Sequence, residues 1–375
     1  MTGKTLSAKE IPQAIVAEAL FWLVAFFAYV LWLSSYWATY GRVPLSDPLE
    51  YPQLARAAHM FYDSGLREPL YIGFIKLLLP FVQPDQFALR TGSFYATLGA
   101  GVLLVAWARL QFGLIAAAAA GVALALSEPV GYYALQGNNM VAYSLMVVVF
   151  LVVWMNADRW KGGFLLAGMV GGLVALTRLE GIAVVGLCFL YDAIRLIRTK
   201  DVWKPVAAVV LATALLSPWL IWQKATTGGF LTSHTVHANY LLTRQSENTG
   251  APVEEGGTWG RFFLSGGVST LVLRWAYGYV LGFFFYLPGL WKARSWLLAF
   301  AAIALAIQFR KKDFRHLVAL AAILFPVAYI LPMDQAFPGS GVEIRYVLAL
   351  AWPAALLVGI GANDVFQFAS GFRRR

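Results

Sequence analysis

Charged residues are scarce in this sequence. Only 13% of its 375 residues are Asp, Glu, Lys or Arg, against roughly 25% in an average soluble domain. Hydrophobic residues make up 60%, and the mean hydropathy is +0.66. This composition excludes a soluble globular protein and is typical of a chain that crosses a membrane many times. We therefore expect an all-α fold: one transmembrane domain over residues 1–375, with about ten transmembrane helices and amphipathic helices at the outer face.

Cysteine is almost absent. The single one, Cys188, lies within the apolar run GIAVVGLCFLY, so an intrachain disulfide and a cysteine-based metal site are both excluded. The net charge of +10 comes largely from short basic loops such as 195–204. Basic residues gather in loops that stay in the cytoplasm, so the charge indicates membrane orientation rather than nucleic-acid binding. We expect a multi-pass protein of the bacterial cytoplasmic (inner) membrane with both termini in the cytoplasm.

A polar segment, residues 41–71, follows the first long apolar run. It holds four acidic residues, two arginines besides Arg42, and a histidine, and apolar residues recur at helical spacing after Tyr51. We expect residues 38–87 to form a first outer loop with interfacial helices. Ionisable groups concentrated in one part of a membrane protein indicate a functional site.

A second polar region, residues 223–287, is predicted to be a large outer loop that ends in an aromatic helix. The stretch 271–290 is apolar enough to span, but it contains Arg274 and Pro288. If it spanned, the basic groups at 310–315 and 373–375 would lie outside. The positive-inside rule therefore favours a helix in the membrane interface, followed by a span over 288–307.

Three short motifs occur in order along the chain. They are Asp47-x-x-x-Tyr51 with Arg67-Glu-Pro-Leu-Tyr71, then Thr177-Arg-Leu-Glu-Gly181, then Glu343-Ile-Arg-Tyr346. Together they resemble the GT-C glycosyltransferases, especially the group of protein O-mannosyltransferases and the aminoarabinose transferase of lipid A. The resemblance implies inverting transfer of a sugar from a polyprenyl-phosphate donor to a lipid, glycan or protein acceptor at the outer face. It also implies that Asp47 is the general base.

Such a reaction needs a base for the acceptor hydroxyl and cations for the leaving phosphate. Guanidinium groups suit phosphate oxygens, so Arg67, Arg178 and Arg345 are predicted to bind the phosphate. The hydroxyl of Tyr346 is predicted to donate a hydrogen bond to the same phosphate. Structural alternatives exist for several of these. Asp47 can cap a helix that begins near Pro48, and Arg178 and Arg345 can pair with Glu180 and Glu343. Pro48 stands where many members of the family carry a second acidic residue, so no metal is inferred from that position.

The remaining predicted contacts are with the acceptor or sugar. They are polar residues of the outer loops: Glu50, Tyr51, Tyr71, Asn138, His234 and His237. His234 and His237 form an H-x-x-H pair, but spacing fixes no third ligand for a metal. We therefore predict no metal site, and the expected reaction requires no cofactor. The expected partners are a polyprenyl-phosphate sugar and membrane lipids, not nucleic acid.

Two other functions compete with catalysis. A non-catalytic GT-C-like scaffold or assembly subunit would have the same span pattern and would bind other membrane proteins. A lipid or sugar transporter would need ionisable groups on broken helices near the middle of the membrane, and the predicted spans are nearly free of charge. The sequence names neither the sugar nor the acceptor.

Overall fold

The computed structural model describes residues 10–43, 45, 50–65, 67–230, 267–332 and 344–372. These residues are helical or lie in turns, and no strand occurs among them. The prediction of an all-α fold is confirmed.

The first part of the chain forms ten α-helices: α1 (Glu10–Tyr40), α2 (Glu50–Ala57), α3 (Pro69–Leu78), α4 (Asp85–Phe112), α5 (Leu114–Ala125), α6 (Glu128–Tyr133), α7 (Asn139–Met155), α8 (Gly163–Thr177), α9 (Gly181–Leu196) and α10 (Trp203–Thr227). The second part contains α11 (Gly267–Leu281), α12 (Leu298–Arg310), α13 (Arg315–Ala328) and α14 (Ala351–Phe372). A π-helical segment, Gly282–Tyr286, extends α11, and 3₁₀ segments precede α12 (Lys292–Leu297) and α14 (Ile344–Leu350).

Six described helices are long and apolar enough to cross a membrane: Glu18–Tyr40, Asp85–Phe112, Trp203–Thr227, Gly267–Gly289, Lys292–Arg310 and Ile344–Gly371. Shorter apolar helices, including α5, α7, α8 and α13, pack between them. The chain is a multi-pass integral membrane protein. The helix predicted after Tyr51 is present as α2, and a tight connection at Gly113 joins α4 to α5.

Helix α14 lies at the centre of the bundle. In its most apolar stretch 83% of the residues are buried inside the protein, against 6% for α1. Two glycines permit this close packing, since a Cβ on Gly359 would lie 2.3 Å from the Ala116 carbonyl oxygen and one on Gly361 would lie 1.9 Å from that of Phe300. Only a residue without a side chain fits where backbones approach so closely.

Ion pairs assign the helix ends to two faces. At one face Asp158, between α7 and α8, pairs with Arg195 on α9 and Arg315 on α13. At the other, Lys292 pairs with Glu128 on α6. Helix α12 therefore runs from the face of Glu128 to that of Asp158, in agreement with the predicted span that precedes residues 310–315. We call the face of Glu128 the site face, and the other the opposite face.

The stretch 271–290 contacts the end of α13 that lies towards the site face. Trp275 Nε1 donates to the Phe325 carbonyl (2.8 Å) and the Tyr279 hydroxyl donates to that of Ala321 (3.0 Å). Leu290, at the end of the stretch, accepts a hydrogen bond from Ser127 Oγ (2.9 Å) beside α6. By length and composition the helix Gly267–Gly289 is also able to span, so its interfacial placement stays a prediction.

Candidate functional site

Four segments meet at the site face, and local sequence features set where two of them begin. Pro69 occupies the first turn of α3, where the missing N–H costs nothing. The Asn138 side chain accepts a hydrogen bond from Met140 N (2.8 Å) and so caps α7. Helices α8 and α9 are joined by the tight turn 178–180, and the 3₁₀ segment Ile344–Leu350 leads into α14. Polar side chains from these segments meet at one place.

Arg178 is the centre of the cluster. Its guanidinium donates through Nε (3.2 Å) and Nη2 to the two carboxylate oxygens of Glu180, and through Nη1 to Asn139 Oδ1 (2.8 Å). Both side chains of the ion pair are largely buried, at 16% and 19% exposure. Burial by itself lowers the pKa of Arg178, but the carboxylates of Glu180 and Glu68 outweigh it and raise this pKa above its usual value. The arginine is held charged.

Glu68 connects Arg178 with Arg67. Its side chain is 8% exposed, and Oε1 accepts a hydrogen bond from the backbone N–H of Leu179 (3.3 Å). Its charge acts on both neighbouring arginines and favours their charged forms. A buried carboxylate is stable only when charges and donors surround it, so Glu68 fixes the start of α3 against the α8–α9 turn.

Arg67 forms the second ion pair. Its Nε donates to Glu50 Oε1 (2.6 Å), and the guanidinium carbon lies 5.7 Å from the centre of the Tyr51 ring. Tyr51 packs edge to face on Tyr71 at 4.9 Å, and the Tyr71 hydroxyl donates to the Gly137 carbonyl (2.8 Å). These contacts join α2, α3 and the residues that precede α7.

Arg345 and Tyr346 complete the cluster from the 3₁₀ segment before α14. The guanidinium carbon of Arg345 lies 5.5 Å from the centre of the Tyr346 ring. The Tyr346 hydroxyl can donate a hydrogen bond. Both residues are only half-buried.

The structure thus brings together most of the predicted site residues that it describes. Arg67, Arg178, Arg345, Tyr346 and Glu50 lie in one polar cluster. The other three residues, which are 3%, 2% and 1% exposed, are buried beside it: Tyr51, Tyr71 and Asn138. Their assignment to acceptor or sugar contacts stays a prediction. Three predicted residues lie outside the described residues: Asp47, His234 and His237. In the part of the chain that is described, no three His, Cys, Asp or Glu side chains form a group that fits a metal ion.

Sequence reasoning missed three residues that build the site. Glu68 and Asn139 stand next to predicted residues but were not assigned a role. Arg90, on α4, is buried and donates to the carbonyls of Leu135 (2.7 Å), Tyr40 (3.3 Å) and Val43. It ties the start of the first outer loop to the segment before α7. A charged residue inside a predicted span is itself a functional signal, and this signal was available for Arg90.

Apolar helices that surround a charged cluster at one face define the class: a polytopic membrane protein whose polar site lies at the helix ends. A family model described as dolichyl-phosphate-mannose-protein mannosyltransferase matches residues 67–222, a stretch that includes Arg67, Glu68, Asn139, Arg178 and Glu180. No curated protein matches the chain.

Two solved structures share the fold. They are ArnT from Cupriavidus metallidurans bound to undecaprenyl phosphate, with a TM-score of 0.61, and the same protein in the apo state, with a TM-score of 0.60. Identity is 16% in both, and the matches cover 91% and 92% of this chain but 60% of ArnT. The chain spans about 60% of the length of that protein. The chain therefore shares the fold of these ArnT structures, and the resemblance predicted from the sequence motifs is confirmed at the level of the fold.

Proposed function

We propose that this protein is a glycosyltransferase that uses a polyprenyl-phosphate-linked sugar at the outer face of the bacterial cytoplasmic membrane. The observation that carries the proposal is the Arg178 cluster, because the matched family segment contains its central ion pair, Glu68 and Asn139. The fold shared with ArnT, one of whose structures contains undecaprenyl phosphate, supports a lipid-phosphate donor. The site face is then the outer face.

In the proposed reaction Asp47 accepts the proton of an acceptor hydroxyl while that oxygen attacks the anomeric carbon of the sugar. The bond between this carbon and the phosphate oxygen breaks, and polyprenyl phosphate leaves with the electron pair. Attack from the side opposite the leaving group inverts the configuration. Val43 and Glu50, which bracket Asp47 in sequence, contact Arg90 and Arg67 at the site face. This anchoring at both sides supports a base in the segment between them.

The leaving phosphate needs positive charge beside it. Arg345 and Tyr346 suit this role because they are half-buried and reachable from the site face. Arg178 donates three hydrogen bonds to Glu180 and Asn139. Its positive charge also interacts with Tyr346. We assign Arg345 and Tyr346 to direct phosphate contact and Arg178 to positioning.

The test uses the purified full chain with undecaprenyl-phosphate-linked sugars and native mass spectrometry. We expect wild-type protein to retain or turn over one donor. Asp47→Asn should still bind that donor while transfer falls by about 100-fold or more, as expected when a general base is lost. Arg345→Ala should weaken donor binding. Arg310→Ala, an exposed arginine at the opposite face, is the matched control and should change neither.

Equal turnover by Asp47→Asn and wild type would refute the assigned base. Absence of any bound donor, together with tightly held membrane-protein partners, would instead identify a non-catalytic assembly subunit.

A further inference from the structure

An apolar groove runs along α1, away from the Arg178 cluster. It encloses about 620 Å³ between α1, α4 and α5. Its walls are apolar, with small residues such as Ala118 and Gly121 on α5 facing aromatic residues such as Phe21 and Trp32 on α1. We call this cavity the α1 groove. None of the charged site residues lines it.

A polar pocket of about 390 Å³ also lies along α1, nearer its end at the site face. It is lined by Ser35, Tyr36, Thr39 and Tyr40 of α1, Glu128 of α6 and Arg294. We call it the end pocket. Arg294 is exposed and donates a long hydrogen bond to the Leu126 carbonyl (3.3 Å). The pocket therefore offers both a cation and a carboxylate.

The groove and the pocket follow one another along the same face of α1. On α1, Ala25, Tyr29 and Trp32 line the groove, and Tyr36 and Tyr40 line the pocket. Their spacing of three or four residues places them on one face of the helix. The facing helices follow in the same order, because α5 lines the groove up to Ala125 and α6 begins with Glu128 of the pocket.

Two tyrosine–glycine contacts fix the distance between α1 and the helices beside it. A Cβ on Gly101 of α4 would lie 2.4 Å from the Tyr29 ring, and one on Gly131 of α6 would lie 2.5 Å from the Tyr36 ring. The rings therefore rest directly on backbone and hold α1 at a fixed distance from its neighbours. Helix α1 is otherwise barely enclosed, since only 6% of the residues in its most apolar stretch are buried.

The length of the groove and the charges of the end pocket indicate which kind of ligand fits them. From Leu20 to Trp32 the groove extends about 18 Å along the helix, at about 1.5 Å a residue. The hydrocarbon core of a bilayer is about 30 Å thick, so the length of the groove is close to that of one acyl chain. Glu128 also pairs with Lys292, and a carboxylate accepts several hydrogen bonds. The charges of the pocket thus match a headgroup that carries both a phosphate and an amine.

We propose that the α1 groove and the end pocket together bind one aminophospholipid of the leaflet at the site face. Its acyl chain lies between α1 and α5, its phosphate contacts Arg294 and its ammonium contacts Glu128. The lipid fills the space that the protein leaves beside α1 and stabilises the position of that helix. This site is independent of the proposed transferase reaction.

The test uses the full chain in nanodiscs made of phosphatidylethanolamine and phosphatidylglycerol. A phosphatidylethanolamine with a photoactivatable acyl chain is cross-linked, and the labelled peptides are identified by mass spectrometry. We expect label on α1 and α5. Gly121→Leu should reduce it by about tenfold, equivalent to about 1.4 kcal/mol of binding, because the new side chain enters the groove. The backbone tolerates it, since a Cβ at Gly121 makes only an ordinary contact of 3.5 Å.

The matched control is Gly186→Leu on α9, where a Cβ meets nothing within 4 Å, and it should leave the labelling unchanged. Arg294 is exposed. Arg294→Ala should weaken labelling by the phospholipid but not by a diacylglycerol probe, which has no phosphate. Glu128→Gln should abolish the preference for phosphatidylethanolamine over phosphatidylglycerol.

Three results would overturn the proposal. The first is equal labelling of α1 and α5 in Gly121→Leu, Gly186→Leu and wild type. The second is equal labelling by diacylglycerol and phospholipid in wild type. The third is loss of the label when equimolar undecaprenyl phosphate is added, which would assign the groove to a prenyl carrier.

Discussion

At the scale of single residues, the structure separates two ion pairs that look alike in sequence. Arg178 and Glu180 are 16% and 19% exposed, whereas Arg67 and Glu50 are 42% and 38% exposed. Removal of one partner from a buried pair leaves an uncompensated charge and is costly. Exposed pairs are hydrated and contribute little. The two pairs should therefore respond very differently to the same substitution.

We expect Glu180→Gln to lower the free energy of unfolding by about 3 kcal/mol, because Arg178 stays charged and loses its carboxylate. Glu50→Gln, the matched control, should lower it by less than about 1 kcal/mol. Chemical unfolding of the purified variants in detergent measures both. The double variant Arg178→Gln with Glu180→Gln should recover part of the loss. Equal effects at Glu180 and Glu50 would show that burial does not set the strength of the pair.

Sequence motifs identified Arg178, its pairing with Glu180, and Tyr346, because these residues stand close together in short segments. They did not identify Glu68 or Asn139 as partners of the turn 178–180. Glu68 and Leu179 are 111 positions apart, and Arg178 and Asn139 are 39 apart. No local spacing encodes such a contact. It arises only when α3, α7 and the α8–α9 turn pack together.

At the scale of helices and their connections, the loop between α7 and α8 is fastened to α9 and α13 through Asp158. Arg195 Nη2 donates to Asp158 Oδ1 (3.0 Å) and Oδ2 (2.9 Å), and Arg315 donates to Oδ2. Arg315 also donates to the Met155 carbonyl (3.1 Å) at the end of α7. The two arginines thus join three helix ends at the opposite face.

The contribution of Asp158 to the stability of the fold should depend on pH. Partial burial raises the pKa of Asp158, but hydrogen bonds from Arg195 and Arg315 outweigh it and hold that pKa below its usual range. A lowered pKa in the folded state stabilises the fold above the usual Asp value of about 4, and the contribution disappears as the pH falls through the lowered value. We expect the melting temperature of wild type to fall below about pH 4 more steeply than that of Asp158→Asn. Parallel pH profiles of the two proteins would contradict this.

Most elements were predictable because apolar runs interrupted by polar turns define them. The α4–α5 hairpin and the α8–α9 turn are both of this kind. The place of 271–290 was harder, since its aromatic content and single arginine suit both an interfacial helix and a span. Its bonds to Phe325 and Ala321 link it to α13, and no pattern in the sequence encodes them.

At the scale of the whole molecule, the contacts of Glu128 and Asp158 predict the side on which each loop lies. In a Cys188→Ala background we expect Lys161→Cys and Lys311→Cys to react with a membrane-impermeant thiol reagent from the cytoplasmic side. Ala293→Cys should react from the other side. All three positions are exposed, and Cys188 is buried. Labelling of positions 293 and 311 from the same side would contradict the direction assigned to α12.

The deep burial of α14 has a consequence for biosynthesis. A chain emerges from the ribosome in order, and α14 follows every other described helix, yet it occupies the middle of the bundle. The helices made earlier must therefore insert into the bilayer before the central helix is present. Their packing is complete only when Gly359 and Gly361 contact α5 and the start of α12. Premature termination before α14 would therefore leave a bundle without its central helix rather than a smaller folded protein.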